Sequence, residues 1–361
     1  MRLEHLGARR LRIPLAKPYK LAFGDVTHFD TILVETRIEG RAGLGEATIL
    51  NGYTDETIEE SWALAQALVR DLPRDVDQAE TTLAVYEPTA PFVASAFASA
   101  IEMAEQHSVL STSTPVAVPL LFGVNATDPE GIAQEMERAY ASGYRTLKIK
   151  AGFDLASDLE RVRLIQDFNA DRMKLRVDAN QGFSQEEGVR FASSLSPRSI
   201  ELLEQPCHAK DWAAAEAVAK ATRVPLMLDE SIYNLADIER AARIGAAFVK
   251  LKLMKLGSLS KLMDGLQLIR SLGMTPVLGN GVASDVGCWM EACVAARLID
   301  NAGEMNGYLR QAASIVTTPI PMQLGSMQIA PGWKPTLDSK RLAAVLVDHC
   351  SADAHEEDRV S

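Results

Sequence analysis

Several familiar signals are missing from this chain, and each absence removes a class of protein. Its four cysteines, Cys207, Cys288, Cys293 and Cys350, form no CxxC pair, so neither a zinc site nor a disulfide framework is indicated, and they read as reduced thiols in mostly apolar contexts. No apolar run reaches the roughly 18 residues a membrane-spanning helix needs. The opening stretch, MRLEHLGARRLRIPLAKPYK, lacks the unbroken apolar segment of a signal peptide, so a cytoplasmic location is expected. Lys and Arg are scattered, and the formal net charge is -11. Without a concentrated basic face, nucleic acid is not an expected partner, and the charge is read as serving solubility. The turn FGVNATDPEG is not a GxGxxG phosphate loop, which counts against an open doubly wound sheet.

What is present begins with three acids. Asp178, Glu204 and Asp229 each close an apolar run, 26 and 25 residues apart. That spacing is one strand plus one returning helix. If the runs are parallel strands of a barrel, the three carboxylates converge at its C-terminal mouth, where active sites of this architecture lie. Three anionic oxygen ligands without His or Cys suit a hard divalent cation, Mg2+ first.

The 361 residues, 47% hydrophobic and 24% charged, are enough for one large barrel or two domains. From Pro115 to about Asn306, short β-rich runs alternate with helical patterns: VAVPLLFGV, TLKIK, KLRVDAN, SIELLEQP, PLMLDES, AFVKLKL and TPVLGNG. A final strand near Ala302 to Met305 would nearly close a barrel. Asp128 and Pro129 open a connecting helix, with Gly143 at its C-terminal stop. Residues 1–113 read instead as an α+β segment, with helical stretches from Asp55 to about Ala84 and from Pro91 to His107. The expected division is therefore an α+β capping domain over 1–113, a barrel over 114–314, and a C-terminal return over 315–361 that packs with the cap and ends in a frayed tail, SADAHEEDRVS.

Two lysine clusters accompany the acids. TLKIK places Lys148 and Lys150 two apart on a strand, so both point to one face. Adjacent cations disfavour each other's charge, which lowers a lysine pKa and suits it to act as a base. In AFVKLKLMKLG, Lys252 lies 23 residues after Asp229, at the end of the next strand and across the barrel from Lys150. Lys250 shares its parity, and Lys255 falls beyond the strand. Taken singly, each of these lysines reads as a surface residue.

In order, the elements are KxK, then DxN (Asp178, Ala179, Asn180), EQP (Glu204), DES (Asp229, Glu230) and KLMK (Lys252), each at a successive strand end. This set resembles the enolase superfamily, specifically its muconate lactonizing subgroup, which also contains dipeptide epimerases, N-acylamino acid racemases and succinylbenzoate synthases. The resemblance covers nearly the whole chain and implies an α/β fold, a modified TIM barrel of (β/α)7β form, with an N-terminal α+β capping domain completed by the C-terminal segment. It further implies that Asp178, Glu204 and Asp229 bind Mg2+, that Lys150 and Lys252 are the acid and base on opposite faces of the substrate, and that Lys148 contacts the substrate carboxylate. Asn180 and Glu230 sit beside ligands as supporting groups. A homo-oligomer is also implied.

Removing a proton next to a carboxylate creates an enediolate with two negative oxygens, which needs a cation and an ammonium already in place. The mandelate racemase subgroup uses a His at the seventh strand. None of the six histidines here lies in TPVLGNGVASDVG, so the lysine pair takes that role; His208, just after EQPC, reads as a loop residue.

The resemblance thins at the substrate end. Muconate-type members carry a Thr-Met-Leu-Glu-like run where this chain has Asn280, Gly281, Val282 and Ala283. Dipeptide epimerases place an Asp-x-Asp pair where this chain offers Glu304 and Asn306. On the covering loops, Tyr19 and Tyr53 are candidate substrate contacts. The expected activity is a racemase or epimerase of an amino acid derivative (N-acylamino acid, dipeptide or proline type) acting on a small-molecule carboxylate. A cycloisomerase or dehydratase using the same intermediate is the alternative, and a non-catalytic barrel binding protein is the alternative of another class.

Overall fold

The computed structural model describes residues 1–21, 24–50 and 56–353, with the side chains of 19–25 left aside. The N-terminal region opens with three long antiparallel strands, β1 (Leu3–Leu21), β2 (Gly24–Ile38) and β3 (Arg41–Ile49). Three helices follow: α1 (Ile58–Asp71), α2 (Val76–Tyr86) and α3 (Pro91–Ala104). The single helical stretch expected from Asp55 to Ala84 is two helices. Pro73 cannot continue α1 and pushes Leu72 into extended backbone, and Asp75 then caps α2 through Gln78 N.

The run VAVPLLFGV also divides. Its first part, β4 (Val116–Pro119), pairs antiparallel with a later hairpin, and only β5 (Phe122–Val124) enters the barrel. The repeat continues as α4 (Pro129–Ala141), β6 (Thr146–Lys150), α5 (Leu155–Asn169), β7 (Lys174–Asp178), α6 (Gln185–Ser194), β8 (Ile200–Glu204), α7 (Trp212–Ala221) and β9 (Leu226–Leu228). After these come α8 (Leu235–Arg243), β10 (Phe248–Leu251), α9 (Leu253–Leu256), α10 (Leu259–Ser271), β11 (Thr275–Leu278) and α11 (Asp285–Leu298). The expected helix start at Asp128 holds, its carboxylate accepting from Gly131 N, and Gly143 lies just past the C-cap with φ of +90°. A Ser184–Glu187 capping box starts α6.

Strands β5 to β11 form one parallel sheet in sequence order. The eighth position is a single bridge rather than a strand. Gly303 pairs with Leu120, while Glu304 N donates to Leu278 O on the far edge at 3.0 Å. This joins both edges and closes the barrel. Gly279 lies at that seam with φ of +140°, and a Cβ there would stand 2.5 Å from Glu304 N, so the closure needs a glycine.

Inward and outward residues alternate along the barrel strands. Leu147, Ile149, Leu175 and Val177 join the large core under the helices. Leu202, Met227 and Val277, with Phe248, make a small separate cluster inside the barrel. One bulge between β7 and β8 lets Glu201 meet Arg176 at 2.7 Å, and Arg176, almost fully buried, also donates to Ala302 O and Asn301.

The chain ends with the hairpin β12 (Met322–Gln323) and β13 (Ser326–Ile329), then α12 (Ser339–Val345) and β14 (Leu346–Asp353). The hairpin pairs with β4, not with the cap, and its turn glycine Gly325 packs against Gly143 ahead of β6. Strand β14 pairs with β1 along the edge of the N-terminal sheet, in the order β14-β1-β2-β3. Ser351 to Asp353, expected to fray, therefore belong to a strand, held by backbone pairing with His5 to Gly7; residues 354–361 lie outside the described ones. Among the described residues no helix is long and apolar enough to cross a membrane.

Candidate active site

The barrel's strand order makes Lys150 pair in register with Asp178, and Asp178 with Glu204. Because parity and register agree, β6, β7 and β8 deliver Lys148, Lys150, Asp178 and Glu204 to one end of the barrel. Asp229 follows β9, and Lys250 and Lys252 come from the end of β10.

The side chains meet. Lys150 Nζ donates to Asp178 Oδ2 at 2.7 Å and to Asn180 Oδ1. Lys148 Nζ lies 2.9 Å from Asp178 and 3.2 Å from Glu204. Lys250 Nζ lies 3.1 Å from Glu204 and 3.5 Å from Asp229. Lys252 Nζ contacts Asp229 Oδ2 at 2.8 Å, with Lys255 Nζ 3.4 Å from Oδ1 and 2.6 Å from the Asp229 carbonyl. Glu304 accepts from Lys148 Nζ at 3.0 and 2.8 Å, and from Lys250 Nζ. The charged groups are buried except Lys150, whose side chain is 24% exposed, and Asn180 is half-buried.

Charge state follows from partners. Burial opposes ionisation of Asp178, but Lys148 and Lys150 outweigh it and hold the carboxyl down at about 2. Burial likewise opposes Asp229 and Glu304, and Lys252 with Lys250, and Lys148 with Lys250, hold these two well below the usual range. Glu204 is pushed up by burial and by neighbouring Asp178, against the pull of Lys148 and Lys250. Glu230 is raised to about 7 by burial and by Asp229; Asn180 Nδ2 donates to its Oε1 at 3.0 Å, and its buried Oε2 has no hydrogen-bond partner among the described residues.

As a donor set, the three carboxylates fit a hard cation in kind: all oxygen, all anionic, and linked through shared ammonium neighbours. In the positions present, their oxygens face lysine nitrogens, and among the described residues no group of three His, Cys, Asp or Glu side chains closes on a common metal position.

Among the substrate candidates, Asn280 and Glu304 line the mouth with Lys148, Lys150, Lys250 and Lys252 around a cavity of about 40 Å3. Asn306 lies beside it: a Cβ on Gly281 would stand 3.4 Å from Glu304 Oε1 and 3.5 Å from Asn306 Oδ1. Tyr53 lies outside the described residues, as does the side chain of Tyr19. His208 is an exposed loop residue, as expected. Lys250, Lys252 and Lys255, which taken singly read as surface lysines, are all buried.

Sequence reasoning left Lys250 without a role and passed over Gln205. Gln205 Oε1 accepts from Asp229 N at 3.0 Å and from Ser231 N at 3.3 Å, fixing the turn that carries Asp229. For Lys250 a signal existed, its shared parity with Lys252.

Residues 131–338 match the Enolase C-terminal domain-like family. The chain belongs to this family, within the enolase superfamily and its muconate lactonizing subgroup, and is an enzyme of the isomerase class. It is similar to the L-Lys-D/L-Arg epimerase of Methylococcus capsulatus, 30% identical over 72% of this chain and 77% of the relative. It is also similar to the L-Ala-D/L-Glu epimerase of Bacillus subtilis, 27% identical over 82% of this chain and 85% of that one. The fold matches a crystal structure of the dipeptide epimerase from Cytophaga hutchinsonii complexed with Mg and D-Ala-L-Val. That match has a TM-score of 0.86 at 23% identity and covers 97% of this chain and 100% of that one.

Proposed function

We propose that the chain abstracts the α-proton of a small carboxylate substrate and returns it on either face, as a racemase or epimerase of an amino acid derivative. The observation that carries this is the pairing of Lys150 on Asp178 with Lys252 on Asp229, one ammonium group at the end of β6 and the other just after β10. In the neutral form, a lysine on one side takes the proton, and the ammonium on the other delivers one to the opposite face. Asp178 and Asp229 orient the two amines. Lys148, buried beside Asp178, would hold the substrate carboxylate and the negative charge that grows on it.

Asp178, Glu204 and Asp229 would hold Mg2+, which when bound supplies Lewis-acid stabilisation of that charge. Asn180 and Glu230 support the ligands through their own hydrogen bond. The names of the relatives, mostly epimerases and racemases, support the same reading.

The test is proton exchange in D2O with Mg2+, across N-acylamino acids, dipeptides, proline derivatives and muconate-like acids. Deuterium at the α-carbon of one class establishes the reaction. Exchange at the wild-type rate in both Lys150→Ala and Lys252→Ala would refute it.

A further inference from the structure

The two lysines of the proposed reaction are held by different means. Lys150 closes β6 and pairs in register with Asp178 of β7, so the parallel sheet fixes its backbone. Lys252 stands one residue past β10, whose ladder with β11 ends at Leu251, and it opens α9. A helix of four residues is too short to order itself. The Lys252 side chain, turned to Asp229, provides no cap for it. The N–H of Leu253, which such a helix leaves without an internal partner, must find one elsewhere.

Two helices distant in sequence hold this residue. Glu291, on α11, accepts from Leu253 N at 2.8 Å. Ser95, on α3 of the cap, donates to Leu253 O at 3.0 Å. Glu291 is 2% exposed, and its second oxygen, Oε2, has no hydrogen-bond partner among the described residues. An apolar side chain would fill the same space without that desolvation, so stability alone does not account for an acid here. What the acid adds is a fixed position for the peptide that joins Lys252 to Leu253.

We infer that Glu291 and Ser95 are positioning residues for Lys252: by holding both backbone polar groups of Leu253 they fix the reach of that lysine alone, so that one face of the substrate depends on them and the other does not. The inference rests on the two-lysine reaction proposed above.

The experiment uses the Mg2+-loaded protein and both enantiomers of a compound that it deuterates, supplied separately in D2O. Loss of the α-proton before net inversion reports the lysine that abstracts it, and Lys150→Ala and Lys252→Ala assign each enantiomer to its lysine. In Glu291→Met this loss should slow roughly tenfold to a hundredfold for the enantiomer assigned to Lys252, in kcat rather than KM, and stay within about threefold of wild type for the other. Glu291→Gln, which keeps an oxygen for Leu253 N, should restore most of the ratio between enantiomers, and Ser95→Ala should shift that ratio the same way by a smaller factor. A fall in the amount of folded protein slows both enantiomers alike, so the ratio separates positioning from a structural role. Equal slowing in Glu291→Met, or no recovery in Glu291→Gln, would overturn the inference and leave the proposed reaction standing. If Glu291→Met does not fold, Ser95→Ala decides, and an unchanged ratio overturns the inference. A wild type that deuterates no compound overturns both.

Discussion

Two sets of buried carboxylates sit in this molecule, and they behave differently for a reason that burial alone does not contain. At the barrel mouth, Asp178, Asp229 and Glu304 are held ionised because lysines lie within ion-pair distance, while Glu204 among them is pushed up by burial and by Asp178. Beneath the cap, Glu46 accepts from Ser284 N at 2.6 Å and from its hydroxyl at the start of α11, and Glu56 accepts from Phe92 N at 3.1 Å at the start of α3. These two face backbone N–H and hydroxyl groups, and burial pushes both up to about 7. At Glu46 and Glu56 the backbone and hydroxyl donors lower the carboxyl's pKa by less than burial raises it, whereas at Asp178, Asp229 and Glu304 the lysine charges outweigh burial. The mouth is therefore a charged instrument, and the cap contacts are titratable joints.

The contrast can be broken most severely at the mouth. Removing the amine of Lys150 or Lys252 should slow α-deuteration by roughly 10²- to 10⁴-fold, the range for a general acid or base, with isotope incorporation as the measurement. Next in size, Lys250→Met leaves Glu204 and Glu304 short of a buried partner. It should destabilise the fold by about 3–5 kcal/mol, whereas Lys250→Met with Glu304→Gln should recover most of that loss; urea denaturation of both variants checks it.

The cap joint should show its character in pH. Glu46 has a folded-state pKa near 7 against an ordinary 4.5, so the folded state holds the proton more tightly. Its stabilising contribution is complete below pH 4.5 and lost as pH rises through 7, a change of about 3 kcal/mol. In Glu46→Gln the melting temperature should vary less with pH across that window than in the wild type. Smallest is Gly287→Ala: the added Cβ would stand 2.7 Å from Glu46 Oε1. It should cost about 1–3 kcal/mol by overpacking, read as a lowered melting temperature.

Much of the site was legible in one dimension. Strand-end acids at near-equal spacing and lysines of shared parity become neighbours in any parallel barrel, and Asp178, Glu204, Asp229, Lys148, Lys150 and Lys252 do meet. The pairing of Lys250 with Glu304 was not legible. Its members lie 54 residues apart and meet only because the barrel closes through Gly303. The division of VAVPLLFGV was hidden for a similar reason: Val116–Pro119 is claimed by a hairpin two hundred residues later in the chain. So was the seating of the polar segment Ser351–Asp353 on β1, because backbone pairing is indifferent to side-chain polarity.

By itself, then, the order of residues determined the repeat, the inward face of each strand and the ring of acids and amines, because side-chain parity and strand-plus-helix length are local properties. Which amine neutralises which acid was decided only by tertiary structure, because closing the barrel seats Glu304 beside β11 and within reach of Lys250 on β10, and Coulomb energy depends on that distance rather than on separation along the chain.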